Sequence, residues 1–202
     1  MKTFKEYLIE AEGGGLTIFD IDDTLFHTFA MIKVIKDGKT VGSLTNQEFN
    51  VNKLADGEEY DFGEFRDAKR FRETSKPVER MFAKAKAILK NVLNKPGSDM
   101  IIITARSDFD NKHTFLQAFK DQGFPIEQVH VERAGNLGSG PSAPNKVKII
   151  KRYLEKGKYT RVRLFDDAMS NLKAMLDMKK DYPNVSFEAY LANQDGSIKT
   201  IK

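Results

Sequence analysis

The chain has no cysteine. That removes disulfides, thiolate metal sites and a cysteine nucleophile together. Its histidines, His27, His113 and His130, are scattered, which argues against a zinc centre. No apolar run approaches the ~20 residues that span a bilayer, so no membrane partner is expected. The first residues lack the apolar core of a signal peptide, and the expectation is a cytoplasmic protein. Charge of one sign is also scarce: 33 Lys and Arg oppose 29 Asp and Glu, for a formal net charge of +4. That balance permits an anionic substrate without requiring nucleic acid. At 202 residues there is room for one domain with an insertion.

What is present is organised around Leu16-Thr-Ile-Phe-Asp-Ile-Asp-Asp-Thr-Leu25. The first half reads as a short buried strand of a parallel sheet. Asp20, Asp22 and Asp23 then fall at its C-terminal end, where open α/β sheets bind ligands. Carboxylates packed this closely repel one another unless a cation lies between them, so the cluster is a candidate metal site. The plain alternative is a solvated acidic turn. A calcium loop is excluded, because it needs Gly at its sixth position and a carboxylate at its twelfth. Counted from Asp20, those positions hold Leu25 and Met31.

The rest of the chain alternates. Residues 1–15 stand apart as an N-terminal tail: an amphipathic helix with Phe4, Leu8 and Ile9 on one side, then a flexible joint through Gly13-Gly-Gly15. A core domain follows over 16–202, with an insertion at about 26–76. Within the insertion, Met31–Ile35 and Thr40–Leu44 flank Asp37-Gly38, a hairpin signal. A helix is expected over Asp61–Arg72, with Phe62, Phe65 and Ala68 on one face. The unit is too small to hold a core alone and should lean on the main domain beside the acids. Pro77 opens a long amphipathic helix that Pro96-Gly97 stops. Further strands are expected at Met100–Thr104, Gln128–Glu132, Arg161–Phe165 and Val185–Leu191. Helices are expected around Asp110–Gln122, Lys146–Lys156 and Met169–Leu176, and Asp195-Gly196 turns a final hairpin. Ala134–Asn145 reads as a loop. Strands alternating with helices predict an α/β fold, a Rossmann-like parallel sheet with helices on both faces.

Several strands end in polar chemistry: the first in Asp20 and Asp22, the second in Thr104 followed by Arg106, the fourth in Asp166 and Asp167. Lys146 opens the helix before the fourth. A parallel sheet gathers all of these at one edge. Carboxylates from two strands suit magnesium, and a hydroxyl and an ammonium suit phosphoryl oxygens.

These segments resemble the four motifs of the haloacid dehalogenase superfamily of phosphohydrolases. Asp20-Ile-Asp22-Asp-Thr24 is similar to its first motif, Ile101-Ile-Ile-Thr104 to its second, Lys146 to its third and Leu164-Phe-Asp166-Asp167 to its fourth. The resemblance spans Leu16 to about Leu191. It implies a magnesium-dependent phosphomonoesterase. Asp20 would be the nucleophile that forms an aspartyl-phosphate. Asp22 would be the general acid, then the base. Magnesium would be held by Asp20, the backbone carbonyl of Asp22 and the Asp166–Asp167 pair, with Asp167 favoured as the direct ligand. Thr104 and Lys146 would grip the phosphoryl group. Thr24 and Arg106 go with the substrate.

Each residue has a plainer alternative. Lys148 competes with Lys146, which is preferred for its place at the helix start. Arg106 is a substrate or supporting residue, or a surface arginine. Asn171 orients a metal ligand or only decorates a helix. The insertion is small, which resembles open-faced relatives that take bulky substrates. Thr104-Ala-Arg106 with Asp166-Asp167 resembles the nucleotidase and nucleic-acid end-processing branches. The phosphorylated substrate is therefore expected to be a nucleotide or a nucleic-acid end. A basic stretch from Lys146 to Arg163, and Phe49, Phe62, Phe65 and Phe71 in the insertion, are the features that nucleic acid would use. For the rings, the preferred reading is that they pin the insertion to the core. Gly135–Gly140 lacks the ending of a P-loop and reads as a flexible rim.

Residues 1–11 resemble the capsid-targeting peptides of internal head proteins in tailed bacteriophages. They begin Met-Lys-Thr, and Leu8-Ile9-Glu10 before Ala11 resembles a head-protease cut site. That resemblance implies a phage-encoded protein in the host cytoplasm or the virion, with the capsid and head protease as partners. Two alternatives stand beside the phosphatase: a catalytically idle packaged protein of this fold, and a nucleic-acid-binding module that uses the basic stretch.

Overall fold

The computed structural model describes residues 13–49, 51–138 and 141–202. The expected N-terminal helix and cut site lie outside the described residues, as do Ser139 and Gly140 of the glycine-rich loop. A six-stranded sheet forms the centre, in the order β11-β10-β9-β1-β7-β8. Its strands are β1 (Gly14–Phe19), β7 (Asp99–Thr104), β8 (His130–Arg133), β9 (Tyr159–Asp166), β10 (Ser186–Ala192) and β11 (Ile198–Ile201). All pair in parallel except β11, which returns antiparallel through the turn at Asp195-Gly196. β1 is buried along its whole length, as a central strand covered on both faces must be.

Helices cover both faces. On one face α3 (Glu79–Leu93) and α4 (Lys112–Lys120) pack with Phe19, Met100, Ile102 and Phe165. On the other, α5 (Ser142–Leu154) and α6 (Met169–Asp177) pack with Leu16, Ile18, Ile103, Val162 and Leu164. The fold is thus mixed α/β with a mostly parallel central sheet flanked by helices. α3 forms because Met81, Phe82, Ala85 and Leu89 make one apolar stripe, with Glu79 in its first turn and Lys90 in its last, each favourable to the helix dipole. It begins after Pro77, which instead belongs to a two-residue strand.

The insertion leaves through β2 (Phe26–His27) and returns through β6 (Lys76–Pro77), which pair antiparallel as a stem. Beyond the stem, β3 (Ile32–Lys36), β4 (Lys39–Leu44) and β5 (Glu58–Asp61) form a small antiparallel sheet in the order β4-β3-β5. The β3–β4 turn places Asp37 and Gly38 at φ 50° and 72°, the left-handed pair that a two-residue hairpin requires. α1 (Asn46–Phe49) and α2 (Ala68–Thr74) complete the unit.

Several boundaries differ from expectation. Gly14 and Gly15 are buried strand residues, not part of a joint. A Cβ on Gly14 would lie 1.8 Å from the Gly97 carbonyl, so the close approach of two backbones is what demands glycine there. The helix expected over Asp61–Arg72 splits into the end of β5, a 3-10 turn at Gly63–Arg66 and α2. Asp67 ends the turn and caps α2, accepting from the Arg70 amide. Phe65 and Ala68 are buried as expected, whereas Phe62 faces outward. α5 begins at Ser142, so Lys146 lies a full turn inside the helix rather than at its start.

Candidate active site

β1 delivers Asp20 to the C-terminal edge of the sheet, where its amide bonds the Phe165 carbonyl of β9. The chain then coils tightly. The Ile21 carbonyl accepts from the amides of Thr24, Leu25 and Phe26, and Asp23 takes a left-handed φ of 55°. That coil sends Asp20 and Asp22 to different partners.

Asp20 faces β9. Lys146 Nζ bridges Asp20 Oδ1 at 2.6 Å and Asp166 Oδ2 at 2.7 Å, with all three side chains buried. Asp166 Oδ1 accepts from the Ala168 amide and from Asn171 Nδ2. Asn171 is itself held by the Ser142 hydroxyl. Both oxygens of Asp166 are therefore engaged. Asp167, its neighbour, makes no hydrogen bond to the described residues. One oxygen each from Asp20, Asp166 and Asp167 falls within 4.8 Å of the others, a set that could hold a metal ion. All three donors are hard carboxylate oxygens, the chemistry that fits magnesium or calcium rather than a softer metal.

The electrostatics follow from this crowding. Burial pushes Asp20 up to about 8; Lys146 opposes the rise, while Asp166 and Asp22 add to it. Burial, then the charges of Asp166 and Asp20, push Asp167 up to about 9. For Lys146, burial alone would lower the pKa, but the Asp166 and Asp20 carboxylates outweigh it and hold the ammonium charged. One buried cation does not neutralise three carboxylates, so the site is short of positive charge.

Asp22 faces the insertion. Arg106 Nε donates to Asp22 Oδ2 at 2.9 Å and Nη2 to Oδ1 at 2.6 Å. The same guanidinium reaches Thr28 Oγ1 at 2.8 Å and the Phe65 carbonyl at 2.7 Å. The rings of Phe65, Phe71 and Phe109 surround it, at 4.5, 4.8 and 5.3 Å from ring centre to Cζ. Arg106 is thus buried, and it ties the general-acid candidate to the insertion. The surface-arginine alternative does not describe it. Thr104 is fully buried at the end of β7, its hydroxyl accepting from the Arg106 amide. Thr24 is also fully buried, and its hydroxyl has no partner among the described residues.

Sequence reasoning missed three supports: Ser142 behind Asn171, Thr28 beneath Arg106, and Asn46 of α1, whose Nδ2 donates to Asp23 Oδ2 at 3.1 Å. None has a local signal, because each contact depends on where α5 or the insertion docks. Lys148 stays exposed, its ammonium 3.4 Å from Asn145 Oδ1, so Lys146 alone enters the cluster. The basic stretch is not one surface. Lys151 pairs with Asp181, Arg152 with Glu132 and Lys158 with Asp99, while Arg161 and Arg163 lie on the sheet. Phe65 and Phe71 are core residues; Phe49, Tyr60 and Phe62 make a half-exposed cluster in the insertion. A cleft of about 590 Å³ lies elsewhere, along β8 and lined by Leu116, Val131, Arg133 and Arg152. It is away from the acids, whose chemistry outweighs its size. Among the described residues no helix is long and apolar enough to cross a membrane.

No family model matches the chain, and no curated protein matches it.

Proposed function

We propose that the protein is a phosphomonoesterase of the haloacid dehalogenase type, acting through an aspartyl-phosphate. The observation that carries this reading is the convergence of Asp20, Lys146, Asp166 and Asp167 from three separate segments at one sheet edge. Such a set has little structural reason to exist, since burying several acids together costs more than it returns. It makes chemical sense where a carboxylate must attack a centre that brings its own negative charge.

In this reading Asp20 attacks phosphorus, the P–O bond to the leaving alcohol breaks, and Asp22, carrying a proton on one oxygen in place of one prong of the Arg106 fork, gives the leaving oxygen that proton. Asp22 then takes a proton from the water that opens the aspartyl-phosphate. Arg106 holds Asp22 in position meanwhile. Lys146 and the Thr104 hydroxyl sit with the phosphoryl oxygens and offset their charge. Asp20 and Asp167 are the residues that would hold magnesium, with Asp166 fixed behind them by Lys146 and Asn171. When bound, the ion supplies charge neutralisation at the phosphoryl group. The resemblance to open-faced relatives with small insertions favours a bulky substrate, a nucleotide or a nucleic-acid end.

The test is turnover of an aryl phosphate with magnesium by the unaltered chain and by Asp20→Asn. Activity that disappears in a folded variant supports the reading; full activity in that variant overturns it.

A further inference from the structure

The sheet face that carries Phe19 is only partly roofed. Its helices, α3 and α4, pack over β1 and β7, the start of α3 reaches the β10–β11 turn through Arg80 and Asp195, and the buried residues of α5 and α6 belong to the opposite face. The strand register sets out rows on this face. Phe19, Phe165, Tyr190 and Thr200 form one row. Thr17, Arg163 and Glu188 form the next, and Gly15, Arg161 and Ser186 the one beyond.

Two features of these rows are incomplete. The first is an aromatic stack. Phe19 and Phe165 lie 4.5 Å apart at 7°, and Phe165 and Tyr190 lie 4.7 Å apart at 13°. The stack stops at the half-buried ring of Tyr190, because the next residue in the row, Thr200, is exposed and has no ring. The second is a pair of guanidiniums. Arg163 Nη2 donates to Thr17 Oγ1 at 2.9 Å. Among the described residues neither Arg161 nor Arg163 has a carboxylate within ion-pair distance, and the Nε of each is buried without a partner. Glu188, beside Arg163 in register, accepts from the Tyr190 hydroxyl and acts on Arg163 only at longer range, without closing an ion pair. Residues two apart on a strand project from the same side about 7 Å from one another, so the two cations stand side by side on this face with no anion between them among the described residues.

We propose that this face binds a single nucleic-acid strand, with a backbone phosphate between Arg161 and Arg163 and a base continuing the stack on Tyr190 over Thr200. Stacking on an aromatic ring beside a cationic groove is how single strands are held. An acidic peptide satisfies the arginines but leaves the ring unused. Arg163 is three residues before Asp166 on the same strand, about 10 Å along it. Asp166 projects from the opposite face, so the end of a strand held here would have to turn over the C-terminal edge of the sheet to meet the acids. That last step rests on the phosphatase reading; the binding surface does not.

The experiment is fluorescence anisotropy of a labelled, phosphorylated single-stranded oligonucleotide with the full chain at several salt concentrations. The Arg161→Gln/Arg163→Gln double variant and Tyr190→Ala should each weaken binding at least about tenfold, and the double variant should flatten the salt dependence. Thr200→Glu, at an exposed position that cannot upset the core, should weaken it as well. Aryl phosphate turnover should stay unchanged in all of them. Unchanged affinity in the Thr200 and double variants overturns the proposal, as does equal competition by an acidic peptide of matching charge. An inactive chain that binds the strand would sink only the phosphatase reading, and an active chain that does not bind would sink only this one.

Discussion

Asp22 and Arg106 stand 84 positions apart in the chain and meet in a two-pronged ion pair buried beneath the insertion. The guanidinium has only a few donors, and this one spends them on Asp22, Thr28 and the Phe65 carbonyl together. It therefore couples the position of Asp22, the proposed general acid, to the docking of the insertion.

Replacing Arg106 should show two separate effects, one in the alanine and one in the lysine variant. Removing one partner of a buried pair leaves an unpaired charge, worth about 3–5 kcal/mol of stability. Arg106→Lys keeps the charge but loses the fork, so it should fold and still be impaired. Denaturant unfolding measures the first effect. A pH–rate profile of the lysine variant measures the second, and an unmoved profile at full activity would show that Arg106 does not position Asp22.

Asp20→Asn removes the proposed nucleophile and one member of a crowded acid set. Loss of turnover on the order of a thousandfold or more is expected. The thermal midpoint at pH 8 should not fall greatly, because Lys146 keeps Asp166 as partner. A variant that loses activity only because it unfolds would show a collapsed midpoint by circular dichroism.

The raised pKa values of Asp20 and Asp167 fix the sign of a pH dependence. Between the ordinary carboxylate range and about 8 to 9, the folded chain holds protons that the unfolded chain has released. Without a divalent cation, stability should therefore fall as pH rises through that window. Magnesium should reverse the trend, binding more tightly at pH 8 than at pH 6 because fewer protons must leave. At about a hundred times its dissociation constant it adds ~2.7 kcal/mol, or about 5–10 °C in the midpoint of a chain this size. Differential scanning fluorimetry at the two pH values reads both effects. A midpoint indifferent to magnesium at either pH would remove the metal site.

Gly14→Ala and Gly38→Ala should differ in mechanism and size. At Gly14 the new Cβ meets a backbone carbonyl that cannot move aside, so a loss at the upper end of about 1–3 kcal/mol or beyond is expected. At Gly38 nothing lies within 4 Å, and only the positive φ of 72° is penalised, about 1 kcal/mol. Urea midpoints would separate the two.

The alternation of strands and helices was legible because each element follows from a local period, two for strands and 3.6 for helices. Asp20, Asp166 and Lys146 could be nominated because a parallel sheet carries strand ends to one edge whatever the loops do. The insertion was read less well. Its short elements lack a sustained period, so no local pattern marks β5, and the helical spacing over Asp61–Arg72 does not separate a strand end, a 3-10 turn and α2. The basic stretch looked continuous because neighbours in sequence were counted as neighbours in space. Alternation along β9 and the turns of α5 distribute those residues among different surfaces.

The sequence by itself determined the class of sheet and which residue types arrive at its C-terminal edge, since both depend on periodicity and chain order. Only the tertiary structure decided that Asp20 belongs to Lys146 while Asp22 belongs to Arg106. Two residues separated by one isoleucine are sent apart by a single coil of backbone, and the partners that receive them come from segments whose meeting is fixed by packing, which no local pattern encodes.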